Sequence, residues 1–214
     1  MFKSTYKRRS FYLNKDRFDQ IAQKYDGPER IHLAHIITQA ITQQLKDTNY
    51  QTLLDYGGGT GLITLNIADY FEAVTLMDAS PQMVDIFEHK LSASNQSSIK
   101  TLVGDVLLDE TILNHKNYDV IVLSLVLLHS GNYQLLLQKL FNHLNSGGMI
   151  ILVDFDKNEN IYHPKVYNGF KHTDIMNVFN ELGLISPQIN TFYSGEKIFM
   201  KQDASLFIAT GVKP

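Results

Sequence analysis

The sequence predicts an α/β fold, a doubly wound, mostly parallel sheet of seven strands with helices on both faces. Three observations carry this expectation. Strand-like and helix-like patterns alternate along the chain, as they do in successive βαβ units. The run Asp119–Ser124 is nearly all apolar, which suits a strand covered on both faces. The run Leu53-Leu54-Asp55-Tyr56-Gly57-Gly58-Gly59-Thr60-Gly61-Leu62 passes from apolar residues through a carboxylate into a glycine loop and a helical pattern. That is a strand–turn–helix unit whose turn lets backbone approach a ligand closely.

Taken in order, two helical patterns come first, about 15–24 and 28–46, separated by the turn signal Tyr25-Asp26-Gly27-Pro28. The second carries Leu33, Ile36, Ile37, Ala40, Ile41 and Leu45 as its buried stripe. Strand one is expected at Gln51–Tyr56, its helix at Thr60–Tyr70, and strand two at Ala73–Met77. The next helix starts with Ser80 as N-cap and Pro81 in the first helical position. Its apolar residues Met83, Val84, Phe87 and Leu91 follow helical spacing. Strand three is expected at Ile99–Val103 and strand four at Asp119–Ser124. A helix over Tyr133–Leu144 ends at Asn145-Ser146-Gly147-Gly148, before strand five at Met149–Phe155. A last helix, Thr173–Leu182, stops at Gly183, a suitable C-terminal glycine. Strands at Ile189–Tyr193 and Ser205–Thr210 close the sheet edge.

No repeat, low-complexity tract or linker interrupts the pattern. Residues 1–214 are expected to form one domain, with 1–48 as a helical cap or lid and 49–214 as the α/β core. Helices placed ahead of the first strand either cover the ligand cleft or pack on the back of the sheet, and both arrangements stay open.

Composition narrows the function. The chain has 214 residues, 44% of them hydrophobic, enough for a sizeable core. A net charge of −3 provides no broad basic field for nucleic acid. With no cysteine there is no disulfide, thiolate metal site or cysteine nucleophile. The basic stretch Met1–Lys15, including Lys7-Arg8-Arg9, reads as a solvated arm. No apolar core of a secretory signal follows it, and no run of about 18 apolar residues suggests a membrane span. A cytoplasmic protein is expected.

The glycine loop excludes two familiar phosphate binders. G-x-G-x-x-G would need glycine at position 62 or 64, where Leu62 and Thr64 stand. No Gly-Lys-Ser/Thr precedes the helix. The loop therefore suits a ligand without a pyrophosphate. In open α/β sheets ligands lie beyond the carboxyl ends of the strands, and the first three ends each carry a carboxylate: Asp55, Asp78 and Asp105. Asp78 can accept two ribose hydroxyls.

The spacing Asp-x-Gly-x-Gly-x-Gly over residues 55–61 resembles the first motif of class I S-adenosyl-L-methionine-dependent methyltransferases. The segment Tyr118–His129 resembles that family's fourth motif in its small-molecule version, and Leu144–Phe155 its fifth-strand motif. Matching segments in the right order span about Leu53–Phe155. Phe18-Asp19-x-x-Ala22-x-x-Tyr25-Asp26 resembles the opening segment of the ubiquinone and menaquinone biosynthesis type. The resemblance implies a Rossmann-like fold and S-adenosyl-L-methionine (AdoMet) as cofactor. Carried onto this chain, it implies a binding set of Asp55, Gly57, Gly58, Gly59, Gly61, Asp78, Ala79, Met83, Asp105, Val106 and Ser124. Asp105 with the following backbone amide would read the adenine edge, and Ala79 or Met83 would pack on the ring. Asp55 either orders the glycine loop or meets the ligand's amino group.

Methyl transfer from a sulfonium is an in-line displacement with an activated donor, so the acceptor site needs few marked residues. His129, just past strand four, is the candidate base, and it equally suits a packing role under the next helix. Tyr25, His163 and Tyr167 are candidates for the acceptor pocket, with His172 in the same late loop. His32 and His35, three apart on a helix, lack a third ligand, so no metal is expected. The expected partner is a small-molecule acceptor; a homodimer stays open. So do a non-catalytic AdoMet-binding subunit and an enzyme acting on protein or nucleic acid. Against the last, strand four lacks the Asn/Asp-Pro-Pro-Tyr/Phe motif of amino-methylating nucleic-acid enzymes.

Overall fold

A computed structural model describes residues 15–94 and 96–214; the Lys7-Arg8-Arg9 arm lies outside them. Seven strands form one sheet: β1 (Thr52–Tyr56), β2 (Ala73–Asp78), β3 (Ile99–Val103), β4 (Tyr118–Ser124), β5 (Leu144–Phe155), β6 (Ile185–Phe199) and β7 (Gln202–Val212). Their order is β3-β2-β1-β4-β5-β7-β6. The first five pair in parallel, while β7 runs antiparallel to both β5 and β6. The helices are α1 (residues 15–21), α2 (Pro28–Leu45), α3 (Thr64–Ile67), α4 (Pro81–Ser92), α5 (Tyr133–Asn142) and α6 (His172–Glu181). Among the described residues, no helix is long and apolar enough to cross a membrane.

The local rules read from the sequence operate where they were expected. Val120, Ile121, Val122 and Leu123 of β4 are all 0% exposed, so the apolar run is a central strand covered on both faces. Ser80 caps α4 by accepting a hydrogen bond from the Met83 amide, with Pro81 at the first turn. Met83, Val84 and Phe87 are that helix's buried face. Gly183 ends α6 at φ +77, the left-handed conformation that a helix C-terminus uses.

Three boundaries differ from expectation. The helix expected from Thr60 to Tyr70 is only α3 followed by a 3₁₀ turn at Ala68–Tyr70, because the glycine turn runs on through residue 63. Residues 144–148 are not a helix-ending loop but the start of β5. Leu144 pairs with Tyr118, and a register shift precedes the Val120–Met149 pair. The two late strands are longer than expected and form a hairpin. Its tip, Met200 and Lys201, has φ values of 50° and 62°. Positive φ at two successive central residues suits the right-handed twist of a hairpin, but without glycine or asparagine there the turn was not readable.

Candidate functional site

The strand order reverses between β1 and β4, the place where an open α/β sheet leaves a crevice at its carboxyl edge. A cavity opens at this place, where small-molecule sites of α/β sheets form. Its wall takes residues from the ends of β1, β2 and β4, from the Gly104–Leu107 turn after β3, and from the segment around α1.

The glycine loop is held from behind. The amides of Gly57 and Gly58 donate to the Met77 carbonyl at 2.7 and 3.2 Å. Thr64 donates to Asp55 at 2.5 Å. Asp55 is 2% exposed; burial pushes its pKa up to about 6, the Thr64 hydroxyl opposing and the Asp78 charge adding to the rise. Its carboxylate therefore sits under the loop and does not line the cavity. Gly61 has φ +76, and a Cβ there would meet a Phe87 ring carbon at 2.0 Å, so only glycine lets α4 pack this close. Gly59 does line the cavity, and a Cβ on it would meet nothing within 4 Å. The loop thus presents bare backbone to open space.

Asp78 closes β2 with both oxygens engaged: Oδ2 accepts from the Gly59 amide at 2.9 Å and Oδ1 from the Ser80 amide at 2.8 Å. Burial pushes its pKa up to about 6, the two amides pull it down, and the charges of Asp105 and Asp19 add to the rise. Asp105 Oδ1 accepts both the Tyr56 hydroxyl at 2.6 Å and the Leu107 amide at 2.7 Å. Burial raises this carboxyl's pKa as well. Ala79, Met77 and Met83 add apolar wall beside these acids.

On the β4 side, Ser124 lines the cavity with a buried hydroxyl that has no hydrogen-bond partner among the described residues. Leu125 follows at φ +57, a conformation costly for a branched side chain and common at functional sites. His129 ends a 3₁₀ turn, its ring perpendicular to that of Phe18 at 5.1 Å. Burial, then the charges of Arg17, His163 and Arg30, lower its pKa to about 4, so the imidazole is neutral near pH 7. Phe18 also meets Tyr25 edge-on at 6.3 Å.

The α1 segment lies over this crevice and is tied to its rim. Asp19 accepts from the Ser80 hydroxyl at 2.5 Å. Asp26 accepts from the Thr60 hydroxyl at 2.5 Å and pairs with Lys90 at the same distance.

Of the residues expected at the site, Tyr25, Gly57, Gly59, Asp78, Ala79, Met83, Asp105, Ser124 and His129 share this cavity wall. Asp55, Gly58, Gly61 and Val106 stand behind it; the Val106 side chain is 1% exposed in the core. His163 and Tyr167 do not reach the wall. Tyr167 donates to the Gly131 carbonyl at 3.1 Å and packs against Tyr133, while the His163 ring accepts from the Lys165 amide. His172 is bound to Asp156 at 2.7 Å. His32 and His35 are exposed, and no group of three His, Cys, Asp or Glu among the described residues is placed to hold a metal. The sequence reading missed Tyr56 and Phe18 as wall residues. Tyr56 lies inside the glycine motif between two more conspicuous residues, and its link to Asp105 spans 49 positions.

The model of a methyltransferase domain matches residues 54–150, from β1 to β5. Over these residues the chain is similar to the class I S-adenosylmethionine-dependent methyltransferases. An uncharacterised methyltransferase of Schizosaccharomyces pombe is 21% identical over 229 residues, covering 83% of this chain and 81% of that protein. A demethylmenaquinone methyltransferase of Tropheryma whipplei is 27% identical, covering 69% of this chain and 59% of the relative. A tRNA 5-carboxymethoxyuridine methyltransferase of Escherichia coli is 26% identical, covering 72% and 62%. Among solved structures, phosphoethanolamine N-methyltransferase 2 of Haemonchus contortus with bound S-adenosyl-L-methionine aligns at TM-score 0.67. It shares 13% identity, and the match covers 83% of this chain and 52% of that one. The chain spans about three fifths of the length of the demethylmenaquinone and tRNA methyltransferases that it matches.

Proposed function

We propose that this methyltransferase holds AdoMet across the ends of β1, β2 and β3 and transfers its methyl group to a small molecule seated beside the end of β4. One observation carries the reading: a single cavity joins the acidic strand ends to the Phe18, Tyr25 and His129 wall, and residues of the α1 segment help enclose it.

The residues suit the cofactor. Gly59 offers backbone to the methionine-derived part without a side chain in the way. Asp78 keeps lone pairs for ribose hydroxyls, since a carboxylate accepts about four hydrogen bonds and two are taken. Asp105 Oδ2 remains for the adenine amino group, because Oδ1 takes both internal donors. Ala79 and Met83 flank the ring. Asp55, Gly58 and Gly61 act through the loop's shape, and Val106 through its backbone. Ser124 offers a hydroxyl beside the reacting end.

Bound AdoMet supplies a methyl group already activated by a positively charged sulfur. The remaining work belongs to the chain: hold the acceptor in line and keep water out. Orientation of this kind can contribute about 7–11 kcal/mol. His129, neutral and weakly basic, serves to accept a hydrogen bond from the acceptor or to orient it. Tyr25 supplies ring surface. Residues 15–48 act as the lid of a single domain, and the rest of the expected 1–48 cap lies outside the described residues.

The names of the relatives cover a quinone precursor and a tRNA, so they do not choose the acceptor. The net charge of −3, which gives no broad basic field for nucleic acid, favours a small one. The test incubates the full chain and methyl-labelled AdoMet with a small-metabolite pool, a protein extract and bulk tRNA. Label in the small-metabolite fraction supports the reading. Label in tRNA or protein overturns the small acceptor. Calorimetric binding of S-adenosylhomocysteine without transfer to any pool would identify a non-catalytic binding protein.

A further inference from the structure

We propose that the methyl acceptor is an anion, a small molecule bearing a carboxylate or phosphate, drawn to the His129 wall by Arg17 and Arg30. The inference rests on the reading above, in which the β4 side of the cavity receives the acceptor.

The geometry begins with three rings that line the cavity. His129 meets Phe18 at 5.1 Å and Phe18 meets Tyr25 at 6.3 Å. The guanidinium carbon of Arg30 sits 3.9 Å from the Tyr25 ring centroid. Stacking on an aromatic face holds a guanidinium in place while its N–H edge stays available. Arg17 precedes Phe18 in α1. Both arginines lie close enough to His129 to disfavour its charged form, as does His163.

Among the described residues, neither guanidinium belongs to an ion pair; the cationic members of those pairs are Lys15, Lys90, Lys139 and His172. Lys15, which also lines the cavity, is held by Asp19 at 2.7 Å. The carboxylates of the wall, Asp78 and Asp105, follow β2 and β3, on the far side of β1 from β4. The cavity wall therefore carries acidic groups at one end, while at the other the exposed Arg30 stacks on its Tyr25 and Arg17 adjoins its Phe18. A neutral acceptor gives the two arginines nothing to pair with. An anion pairs with a guanidinium through two parallel hydrogen bonds and is steered into the mouth by the same charges.

The test uses the full chain saturated with S-adenosylhomocysteine and measures binding of benzoate, malonate and phenyl phosphate by calorimetry, with benzamide as the neutral match for benzoate. At least one anion is expected to bind about tenfold tighter than benzamide, with the preference shrinking at high salt. Benzoate or malonate favoured over phenyl phosphate assigns a carboxylate; the reverse assigns a phosphate. In the double variant Arg17→Gln/Arg30→Gln the preference should fall several-fold while S-adenosylhomocysteine affinity stays within about twofold. If no anion binds better than benzamide, the inference is overturned. It is overturned equally if the double variant keeps the preference, or loses cofactor affinity instead, which would assign the arginines to the cofactor's own carboxylate. Failure of the wild-type chain to bind S-adenosylhomocysteine would strike the proposed function itself.

Discussion

At the scale of single residues, the site concentrates buried carboxylates whose protonation is coupled to folding and binding. Asp55 has a native pKa of about 6 against an ordinary 3.8. The native state therefore holds a proton that the unfolded chain has released between those values, and stability falls as pH rises from about 4 through 6. The full effect is on the order of 3 kcal/mol, about two units at 1.36 kcal/mol each. Asp55→Asn keeps an acceptor for Thr64 and carries no charge. Urea denaturation should show the variant gaining on the wild type between pH 4 and 7.5; a pH-independent difference would refute the assignment.

Asp78, also at about 6, is expected to grip the cofactor as a carboxylate. Affinity for S-adenosylhomocysteine should therefore climb between pH 5 and 7, and Asp78→Asn should flatten that climb. Asp78→Ala should cost at least about tenfold in affinity, two charge-assisted hydrogen bonds being lost, with little change in Tm. Unchanged affinity would remove the ribose assignment. Tyr56→Phe deletes the hydroxyl that holds Asp105 Oδ1. It should weaken cofactor binding by roughly fivefold, the worth of one hydrogen bond, and the loss should be smaller for an analogue in which the adenine amino group is replaced by an oxygen.

At the scale of elements, the tightest fit is between the glycine loop and α4. Gly61→Ala would place a methyl group 2.0 Å from Phe87 and force an unfavourable φ. We expect a loss of about 2–4 kcal/mol in chemical denaturation, partly recovered when Phe87 is shortened to Leu. Recovery would show that the steric contact, and not φ alone, sets the cost. The β6–β7 hairpin is the other element with a distinct logic. It completes the sheet antiparallel, and Phe207, 0% exposed, anchors β7 against the core. The chain reached this arrangement without a glycine at the hairpin tip, since Met200 and Lys201 take the positive φ themselves. Packing along β7 outweighs the local cost.

At the scale of the whole molecule, the helices before β1 join the cofactor side to the acceptor side. α1 contributes Lys15 and Phe18 to the wall, and Tyr25 follows before α2 begins. Asp26 ties this segment to Thr60 of the glycine loop and to Lys90 of α4. Asp26→Asn removes the charge from that tie. Stopped-flow measurement should show S-adenosylhomocysteine leaving the variant faster, while the equilibrium fold measured by circular dichroism is unchanged; an unaltered off-rate would mean the segment does not gate the cavity.

The sequence by itself determined the parallel core and its cofactor edge. Apolar alternation, the Ser80–Pro81 helix start, the buried run of β4 and the glycine spacing at 55–61 are local signals, each set by backbone sterics or by burial of contiguous residues. They located Asp78, Asp105, Gly59 and Ser124 on the cavity wall. Only the tertiary structure decided that Tyr56 braces Asp105, that Phe18 meets His129, that Arg30 covers Tyr25, and that His163 and Tyr167 stay off the wall. Those facts depend on how separate segments pack across the crevice, and side-chain chemistry at one position carries no record of its neighbour dozens of residues away.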